Sequence, residues 1–265
     1  MKYKLLTINI FIICLFVIFI ALLYYYWINI KNGIESFELY ENQEIVIARY
    51  NEDLDWITQE PFNRHPIIIY NKSDNTNFTK SPNIQQVVNL PNVGREMHSY
   101  FYHIINNYDN LSDVTIFLPG SADLTGKFDR SKSVVNTVEN TNNTTFSCTH
   151  DDNFVNNNFN FEIDNYLSTH KNNKDINKDT SMEISNIRPY GNWFNSIFSN
   201  NEKNTCISFN SIIAVSRNTI LQKPKSYYET LMRQVDKHQN PEIVHYLERS
   251  WYAVFYPYDD NASFI

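Results

Sequence analysis

The stretch EIVIARYNEDLDW at residues 44–56 determines the fold class, because a β-branched apolar run ends abruptly in polar side chains. Glu44–Tyr50 is apolar almost throughout and therefore predicts a strand that is buried on both faces, as in a parallel sheet. The polar residues Asn51–Asp53 then lie at the carboxyl end of that strand. Three later runs also predict strands: PIIIY (66–70), QQVVNL (85–90) and VTIFL (114–118).

A predicted helix separates the third and fourth of these strands. Within Arg95–Tyr108, apolar residues recur at helical spacing and form one stripe. Strands and a helix in this order indicate an α/β fold with a mostly parallel sheet and flanking helices, over residues 44–265. Further elements are predicted towards the C-terminus: a strand at 207–215 and helices at 227–239 and 241–256.

Two segments of this domain have no regular apolar pattern. Residues 131–181 are rich in Asn, Thr and Asp, which predicts a low-complexity insertion that is a long loop or only partly ordered. We assign no helix or strand within it. The sequence RPYGNWF at 188–194 predicts an aromatic-rich turn.

The composition excludes several kinds of binding site. With 5 glycines in 265 residues, the chain has no Gly-rich phosphate loop, which needs clustered glycines. Its net charge of −7 and isoelectric point near 5.5 exclude the basic surface on which nucleic-acid binding depends. We therefore expect no nucleic-acid partner.

An apolar segment precedes the domain. Residues Leu5–Ile30 contain no charged side chain and exceed the ~20 residues that cross a bilayer. Tyr24–Trp27 place aromatic side chains at the far end, as at a membrane interface. Because Lys2 and Lys4 precede the run, we expect a cytoplasmic N-terminus. The sequence thus predicts a single-pass type II membrane protein: cytoplasmic tip and anchor at 1–31, stalk at 32–43, and a lumenal or extracellular domain.

Cysteine usage leaves two possibilities open for the domain. Cys148 and Cys206 form one disulfide in an oxidising compartment, or they are two free thiols. The sequence shows no Cys-x-x-Cys and no Cys/His cluster, so we expect no structural zinc site.

Residues 44–123 resemble the first half of GT-A glycosyltransferases, which transfer sugars from nucleotide sugars. The resemblance lies in the order of the strands and of the motifs after them: Asn51-Glu52, Asn71-Lys72-Ser73 and Asn92-Val93-Gly94. Many of those enzymes hold a divalent metal ion on a D-x-D motif after the fourth strand, where this chain has Pro119-Gly120-Ser121. A metal cofactor is therefore not expected, and arginines are the expected partners of the diphosphate.

A second resemblance covers nearly the whole domain. The chain resembles an uncharacterised family, domain of unknown function 3431, in five strings: A-R-Y-N-E-D-x-x-W (48–56), N-x-G-R-E (92–96), I-x-x-N-Y-D-x-L (104–111), R-P-Y-G-x-W (188–193) and E-R-x-W (248–251). The resemblance implies no activity, because the family has none assigned.

Candidate site residues come from the strand ends and from these motifs. The expected substrate-binding residues are Arg49, Asn51, Glu52, Asp53, Asn92, Arg95, Glu96, Arg188, Trp193 and Arg249. Glu248 and Asp123 are the catalytic candidates, one of them as the base that takes a proton from an acceptor hydroxyl. Structural alternatives stay open: helix N-terminal charge for Glu52 and Asp53, capping for Glu96, and a Glu–Arg pair for Glu248.

Two functions of different classes fit this pattern. In the first, the chain is a membrane-anchored glycosyltransferase whose partners are a nucleotide sugar and a glycan or protein acceptor. Tyr190, Trp193 and Trp251 are then candidates to stack on the sugar or the base. In the second, it is a membrane-anchored binding or structural module that kept the fold and lost the D-x-D metal site.

Overall fold

The computed structural model describes residues 17, 19–25, 40–175, 181–198 and 205–265. It divides the chain into two units, Met1–Glu41 and Asn42–Ile265. Among the described residues, no helix combines the length and the apolar character needed to cross a membrane. Most of the predicted anchor at Leu5–Ile30 and of the predicted stalk at 32–43 lies outside the described residues.

Seven strands form one sheet in the order β3-β2-β1-β4-β6-β5-β7. Their bounds are β1 Gln43–Arg49, β2 Ile67–Asn71, β3 Ile84–Asn89, β4 Val114–Pro119, β5 Thr145–Thr149, β6 Ile207–Ser216 and β7 Ser263–Phe264. The pairs β1–β2, β1–β4, β2–β3 and β5–β7 are parallel. Among these seven strands only β6 is reversed, since it runs antiparallel to both β4 and β5. The strands predicted at 44–50, 66–70, 85–90, 114–118 and 207–215 are confirmed.

Helices flank this sheet, as the sequence predicts. Their bounds are α1 Arg95–Asn106, α2 Lys127–Thr141, α3 Asp152–Asn158, α4 Tyr190–Ile197, α5 Arg217–Leu221, α6 Lys225–Met232, α7 Ile243–Arg249 and α8 Trp251–Val254. The α/β fold with flanking helices is therefore confirmed. The helix predicted at 241–256 is two helices, because the backbone leaves helical geometry at Ser250.

The central strands are buried because both sheet faces are covered. Along β1, Ile45 and Ile47 pack into one apolar cluster together with helix α2. The alternate residue Val46 packs into the other cluster, which is formed by α1 and the C-terminal helices. All three side chains are fully buried, which explains why Glu44–Tyr50 lacks the polar alternation of a half-exposed strand.

The sequence interpretation of 131–181 as a loop-like insertion is wrong for its first part. Residues up to Thr141 belong to helix α2, and β5 and α3 follow. Helix α2 contains several Asn and Thr residues, and its buried residues Val134, Val135 and Val138 form a short apolar stripe among them. The prediction followed the polar composition of this segment and therefore missed the stripe.

The segment at 188–194 also differs from its prediction. Residues Tyr190–Ile197 form helix α4, where the sequence predicts a turn. The helix begins directly after Pro189, whose fixed φ is compatible with the N-terminal end of a helix. Tyr190, Trp193 and Phe194 on this helix are buried, so its aromatic residues build core and not a turn.

The strand order creates one switch point in the sheet. From β1 the chain proceeds through β2 and β3 on one side, and then returns to β4 on the other side. In open α/β sheets, the crevice outside the carboxyl ends of two such strands is where ligands bind. The ends of β1 and β4 therefore identify where a site is expected.

We predict that Gly94→Ala destabilises the domain more than Gly126→Ala. Both glycines have positive φ, 57° and 80°, so each alanine costs about 1–2 kcal/mol in backbone strain. At Gly94 a Cβ would also overlap the carbonyl oxygen of Val235, whereas at Gly126 it meets nothing within 4 Å. That overlap adds about 1–3 kcal/mol. Urea unfolding of both variants measures the difference, and equal losses would contradict the packing described at Gly94.

Candidate functional site

A cavity of about 240 Å³ opens at the switch point. Its floor is formed at the carboxyl ends of β1 and β4 by Ala48, Arg49, Tyr50, Glu52, Pro119, Gly120 and Ser121. Its walls come from the loop before α1, from the start of α2, from a bulge of β6 and from α7. The wall residues used below are Lys72, Asn92, Arg95, Glu96, Lys127, Asn210, His245 and Glu248.

Glu52 connects three parts of this cavity. The side chain is 5% exposed, and its carboxylate accepts hydrogen bonds from the backbone N–H of Tyr50 at 2.7 Å and from Asn173 Nδ2 at 2.6 Å. The same carboxylate packs against Gly120, where a Cβ would lie 2.8 Å from it. Glycine at 120 thus makes room for Glu52 directly after β4.

Arg49 is a structural residue of this region. Its buried guanidinium donates to the carbonyl oxygens of Glu52 at 2.7 Å and Asn75 at 2.6 Å, and to Asn71 Oδ1 at 2.6 Å. The group also lies 4.6 Å from the centre of the Phe78 ring. Because these acceptors occupy its donors, Arg49 holds the loops after β1 and β2 in place beside the cavity.

A buried lysine fixes the loop that precedes α1. Lys72 Nζ donates to the carbonyl oxygens of Val93 and Arg95, which brings Arg95 to the cavity wall. Burial lowers the pKa of Lys72 to about 7, although the nearby Glu96 carboxylate acts in the opposite direction. Gly94 and Arg95 both have positive φ, 57° and 44°, so the chain enters α1 in a sharply constrained turn.

Two cationic side chains, Lys127 and Arg95, line the cavity. Lys127 begins α2, and its Nζ donates to Ser121 Oγ at 3.1 Å, directly after β4. The Arg95 guanidinium carbon is 4.3 Å from the centre of the Tyr166 ring, and its Nε is 3.6 Å from Glu96 Oε2. Asn92 also lines the cavity and donates to Gln239 Oε1 at 3.2 Å. These groups can bind an anion through charge-assisted hydrogen bonds.

Two carboxylates meet at Ser211. The Ser211 hydroxyl oxygen is 2.9 Å from Glu96 Oε1 and 3.4 Å from Glu248 Oε1. Burial raises the pKa of Glu96, but Arg95, a backbone N–H, Lys127 and Ser211 together outweigh it, so the pKa lies below its usual value. Glu96 is therefore held in its ionised form. Since a hydroxyl has one proton, Ser211 donates to Glu96 at the shorter distance.

A bulge in β6 brings Ser211 to this position. The β5–β6 ladder passes from the pair Phe146–Ile213 directly to the pair Cys148–Ser208, so β6 projects between them. Asn210 and Ser211 have φ of 70° and 55° within that bulge. Strained backbone of this kind is concentrated at functional sites, and here it is at the cavity wall.

Residues 159–175 form an irregular stretch, which we call the covering segment. It contributes Tyr166, Ser168, Thr169 and Asn173 to the cavity wall. Polar contacts fasten it to the strand ends: Asn173 to Glu52, Asn172 Nδ2 to the Asn51 carbonyl at 3.1 Å, Lys171 Nζ to Asp53 at 2.9 Å, and His170 Nε2 to Asp123 at 3.3 Å. This segment closes one side of the cavity.

Two predicted substrate-binding residues, Asn51 and Asp53, and the catalytic candidate Asp123 instead position the covering segment or a neighbouring loop. Asn51 accepts from Ser73 Oγ at 2.8 Å as well as from Asn172. Asp53 pairs with Lys171, which lowers the pKa of the Asp53 carboxyl. Asp123 pairs with His170. None of these three is among the residues that line the cavity, so Asp123 is not placed beside Glu248.

Three C-terminal candidates also lie outside the cavity. Arg188 binds the buried Glu242 at 3.1 Å and Asp164 at 2.9 Å, and so ties the covering segment to α7. Arg249 is buried over the Phe161 ring at 3.5 Å and donates to the His245 carbonyl at 2.9 Å. Trp193 is a core side chain whose Nε1 donates to Gln234 at 3.0 Å. Tyr190 and Trp251 are likewise fully buried core residues.

The sequence did not identify several residues of this cavity. Lys72 holds the turn at Arg95, Lys127 supplies a positive charge, and Ser211 joins the two carboxylates, but each lies in a motif without a chemical signature. Tyr166 and Asn173 come from the stretch that composition alone marked as an insertion. Lys72 could have been recognised from the sequence as a polar residue directly after β2.

The structure pairs Cys148 with Cys206 in a disulfide, with the two Cα atoms 5.6 Å apart. The sequence left a disulfide and two free thiols as alternatives, and the structure has the disulfide. His150 lies beside them, and ligand atoms of these three residues are within 4.8 Å of one another. The expectation that the chain has no Cys/His cluster is therefore wrong.

We predict that Asn173→Ala opens the covering segment. The substitution removes a buried hydrogen bond to the Glu52 carboxylate. Such bonds contribute about 1.5–3 kcal/mol, which corresponds to roughly a 10- to 100-fold larger open population. Limited chymotrypsin digestion, mapped by mass spectrometry after Tyr166, follows that population. Lys174→Ala, at the next exposed position, is the control, and equal cleavage of the two variants would contradict the role of Asn173.

Comparison with known proteins gives one match. The family described as "Protein of unknown function (DUF3431)" matches residues 45–262. No curated protein and no solved structure matches the chain. The matched range includes every cavity residue described above. The chain therefore belongs to the DUF3431 family.

Proposed function

We propose that this chain is a glycosyltransferase of GT-A-like architecture that binds a nucleotide sugar in the cavity between β1 and β4. The switch-point position supports this proposal, because doubly wound sheets bind nucleotides there. The order of strands and polar motifs over residues 44–123 supports it as well. The diphosphate of the donor would lie against Lys127 and Arg95, which both line the cavity.

The contact of Lys127 with Ser121 carries the proposal. In a D-x-D enzyme a divalent ion beside this position neutralises the departing diphosphate. Here the Lys127 ammonium is 3.1 Å from Ser121 Oγ, so a protein cation occupies the region after β4. Together with Arg95, which also lines the cavity, it offers the diphosphate charge-assisted hydrogen bonds. Transfer would then proceed without a divalent metal ion.

Glu248 is the proposed general base. The Ser211 hydroxyl donates its hydrogen bond to Glu96. The Glu248 carboxylate can therefore still accept a hydrogen bond on the cavity side. The acceptor oxygen would form a bond to the anomeric carbon while its proton moves to Glu248. The bond from that carbon to the diphosphate breaks in the same process, through an oxocarbenium-like transition state. Asp123 is disfavoured, because it pairs with His170 away from the cavity lining.

The cellular setting is part of the proposal. Leu5–Ile30 would anchor the chain as a single-pass type II membrane protein, with the domain lumenal or extracellular. The disulfide between Cys148 and Cys206 supports an oxidising compartment. A glycan or a protein would be the acceptor there.

A second candidate function is a membrane-anchored binding module without catalysis. The sequence Pro119-Gly120-Ser121, with no carboxylate after β4, favours it. The two functions differ in turnover, because only the enzyme consumes a nucleotide sugar. Release of nucleoside diphosphate from a panel of nucleotide sugars distinguishes them.

We predict that Lys127→Ala weakens nucleoside diphosphate binding about 10- to 100-fold, because one charge-assisted contact of about 1.5–3 kcal/mol is lost. Calorimetric titration with ADP, CDP, GDP and UDP measures the change. Lys132→Ala is the matched control, since Lys132 lies on the same helix and is 5.5 Å from the Phe128 ring, outside the cavity. If both variants bind as the unchanged chain does, Lys127 is not a diphosphate ligand.

We predict that Glu248→Gln lowers the transfer rate about 10²- to 10⁴-fold and leaves donor binding unchanged, because the amide cannot accept the proton. Asp123→Asn, as the control, leaves the rate within a few-fold. Single-turnover release of nucleoside diphosphate measures both rates. A large loss in Asp123→Asn with none in Glu248→Gln would reverse the assignment of the base.

A further inference from the structure

Three potential metal ligands meet where β5 ends and β6 begins. Cys148 and Cys206 are joined there, and His150 is two residues beyond Cys148. His150 Nε2 is 3.8 Å from Cys148 Sγ. Sulfur and nitrogen ligands of a tetrahedral zinc ion are about 3.6 Å apart, which follows from Zn–S and Zn–N bonds of about 2.3 and 2.0 Å. The histidine is thus at ligand distance from a cysteine sulfur.

The orientation of His150 is the second observation. Its Nδ1 is 3.2 Å from the carbonyl oxygen of Thr205, and a carbonyl only accepts hydrogen bonds. Nδ1 therefore carries the proton, which leaves the lone pair on Nε2, directed towards Cys148. Metal-binding histidines are oriented by the same kind of contact, from the second ring nitrogen to a backbone carbonyl. The ring also packs edge-on against Phe264, with centroids 5.2 Å apart.

The backbone around this cluster is held by the sheet. Cys148 pairs with Ser208 and Thr149 with Ile207 in the antiparallel β5–β6 ladder. Cys206 directly precedes β6 and is buried, whereas His150 is exposed. The frame thus fixes the two cysteine Cα atoms 5.6 Å apart, while the reduced side chains can rotate their sulfurs apart, and one side of the cluster is open to solvent. An ion can enter from that side and keep a water molecule as its fourth ligand.

We propose that Cys148, His150 and Cys206 bind one zinc ion when the two cysteines are reduced. Two thiolates and an imidazole favour zinc over magnesium or calcium, which prefer oxygen ligands. The disulfide and the zinc site exclude each other, because both use the same two sulfurs. A dithiol reductant converts the disulfide to two thiols and becomes a disulfide itself, and zinc binding then releases both thiol protons.

This site is separate from the cavity and does not depend on the proposed glycosyl transfer. It is connected to the cavity by β6, because Cys206 directly precedes the strand whose bulge carries Asn210 and Ser211. The cluster thus has two alternative cross-links, one covalent and one through a metal ion, at the start of a strand that shapes the cavity wall.

The test uses the full chain with Cys14→Ser, so that Cys148 and Cys206 are the remaining cysteines. A phosphine reduces the disulfide: it takes the oxygen of one water molecule and leaves two thiols. Zinc binding is then titrated against a chromogenic chelator, and cobalt is added separately as a spectroscopic probe. We expect one zinc per reduced chain, thiolate-to-cobalt charge-transfer absorption, and no binding by the oxidised chain.

His150→Ala is the decisive variant, because it keeps both cysteines. We expect it to weaken zinc binding by more than about 100-fold, since even residues that only orient a ligand change affinity 10- to 100-fold. His238→Ala is the matched control and should bind as the parent does. No zinc uptake by the reduced chain, folded or not, would overturn the proposal. Equal affinity in His150→Ala and His238→Ala would overturn it as well.

Discussion

The carboxylate of Glu52 is the contact on which the candidate site depends. It accepts from the backbone at the end of β1 and from Asn173 in the covering segment, and it packs against Gly120 after β4. Three separate parts of the chain therefore meet at one buried side chain. A carboxylate in this position needs all its donors, because an unpaired buried charge is costly. Glu52 consequently fixes the floor of the cavity and the closure of one side.

The elements next to this floor position the charged side chains of the cavity. Lys72 holds the turn that presents Arg95, and α2 begins with Lys127 beside Ser121. The bulge of β6 then brings Ser211 between Glu96 and Glu248. One cavity thus holds cations and carboxylates close together, with Arg95 Nε 3.6 Å from Glu96 Oε2.

The sequence predicted the fold well because the central strands are long apolar runs. The run Glu44–Tyr50 and the helix beginning at Arg95 were both found at nearly their observed bounds. Helix α2 was missed, since its buried valines are a minority among Asn and Thr.

The site was predicted only in part. Strand ends identify Glu52 correctly as a cavity residue, but they do not distinguish it from Asp53, which faces Lys171. Which of two adjacent polar residues points into a cavity depends on the path of the loop. The contacts of Arg188 and Trp193 depend on packing between distant segments, and a single sequence carries little information about such packing.

The central claim is that protein cations, and not a bound metal ion, serve the diphosphate in this cavity. Calorimetric titration of the full chain with a nucleoside diphosphate tests it most directly, once with a chelator and once with manganese. The account predicts the same dissociation constant, within about twofold, under both conditions. Binding that occurs only with manganese would contradict it.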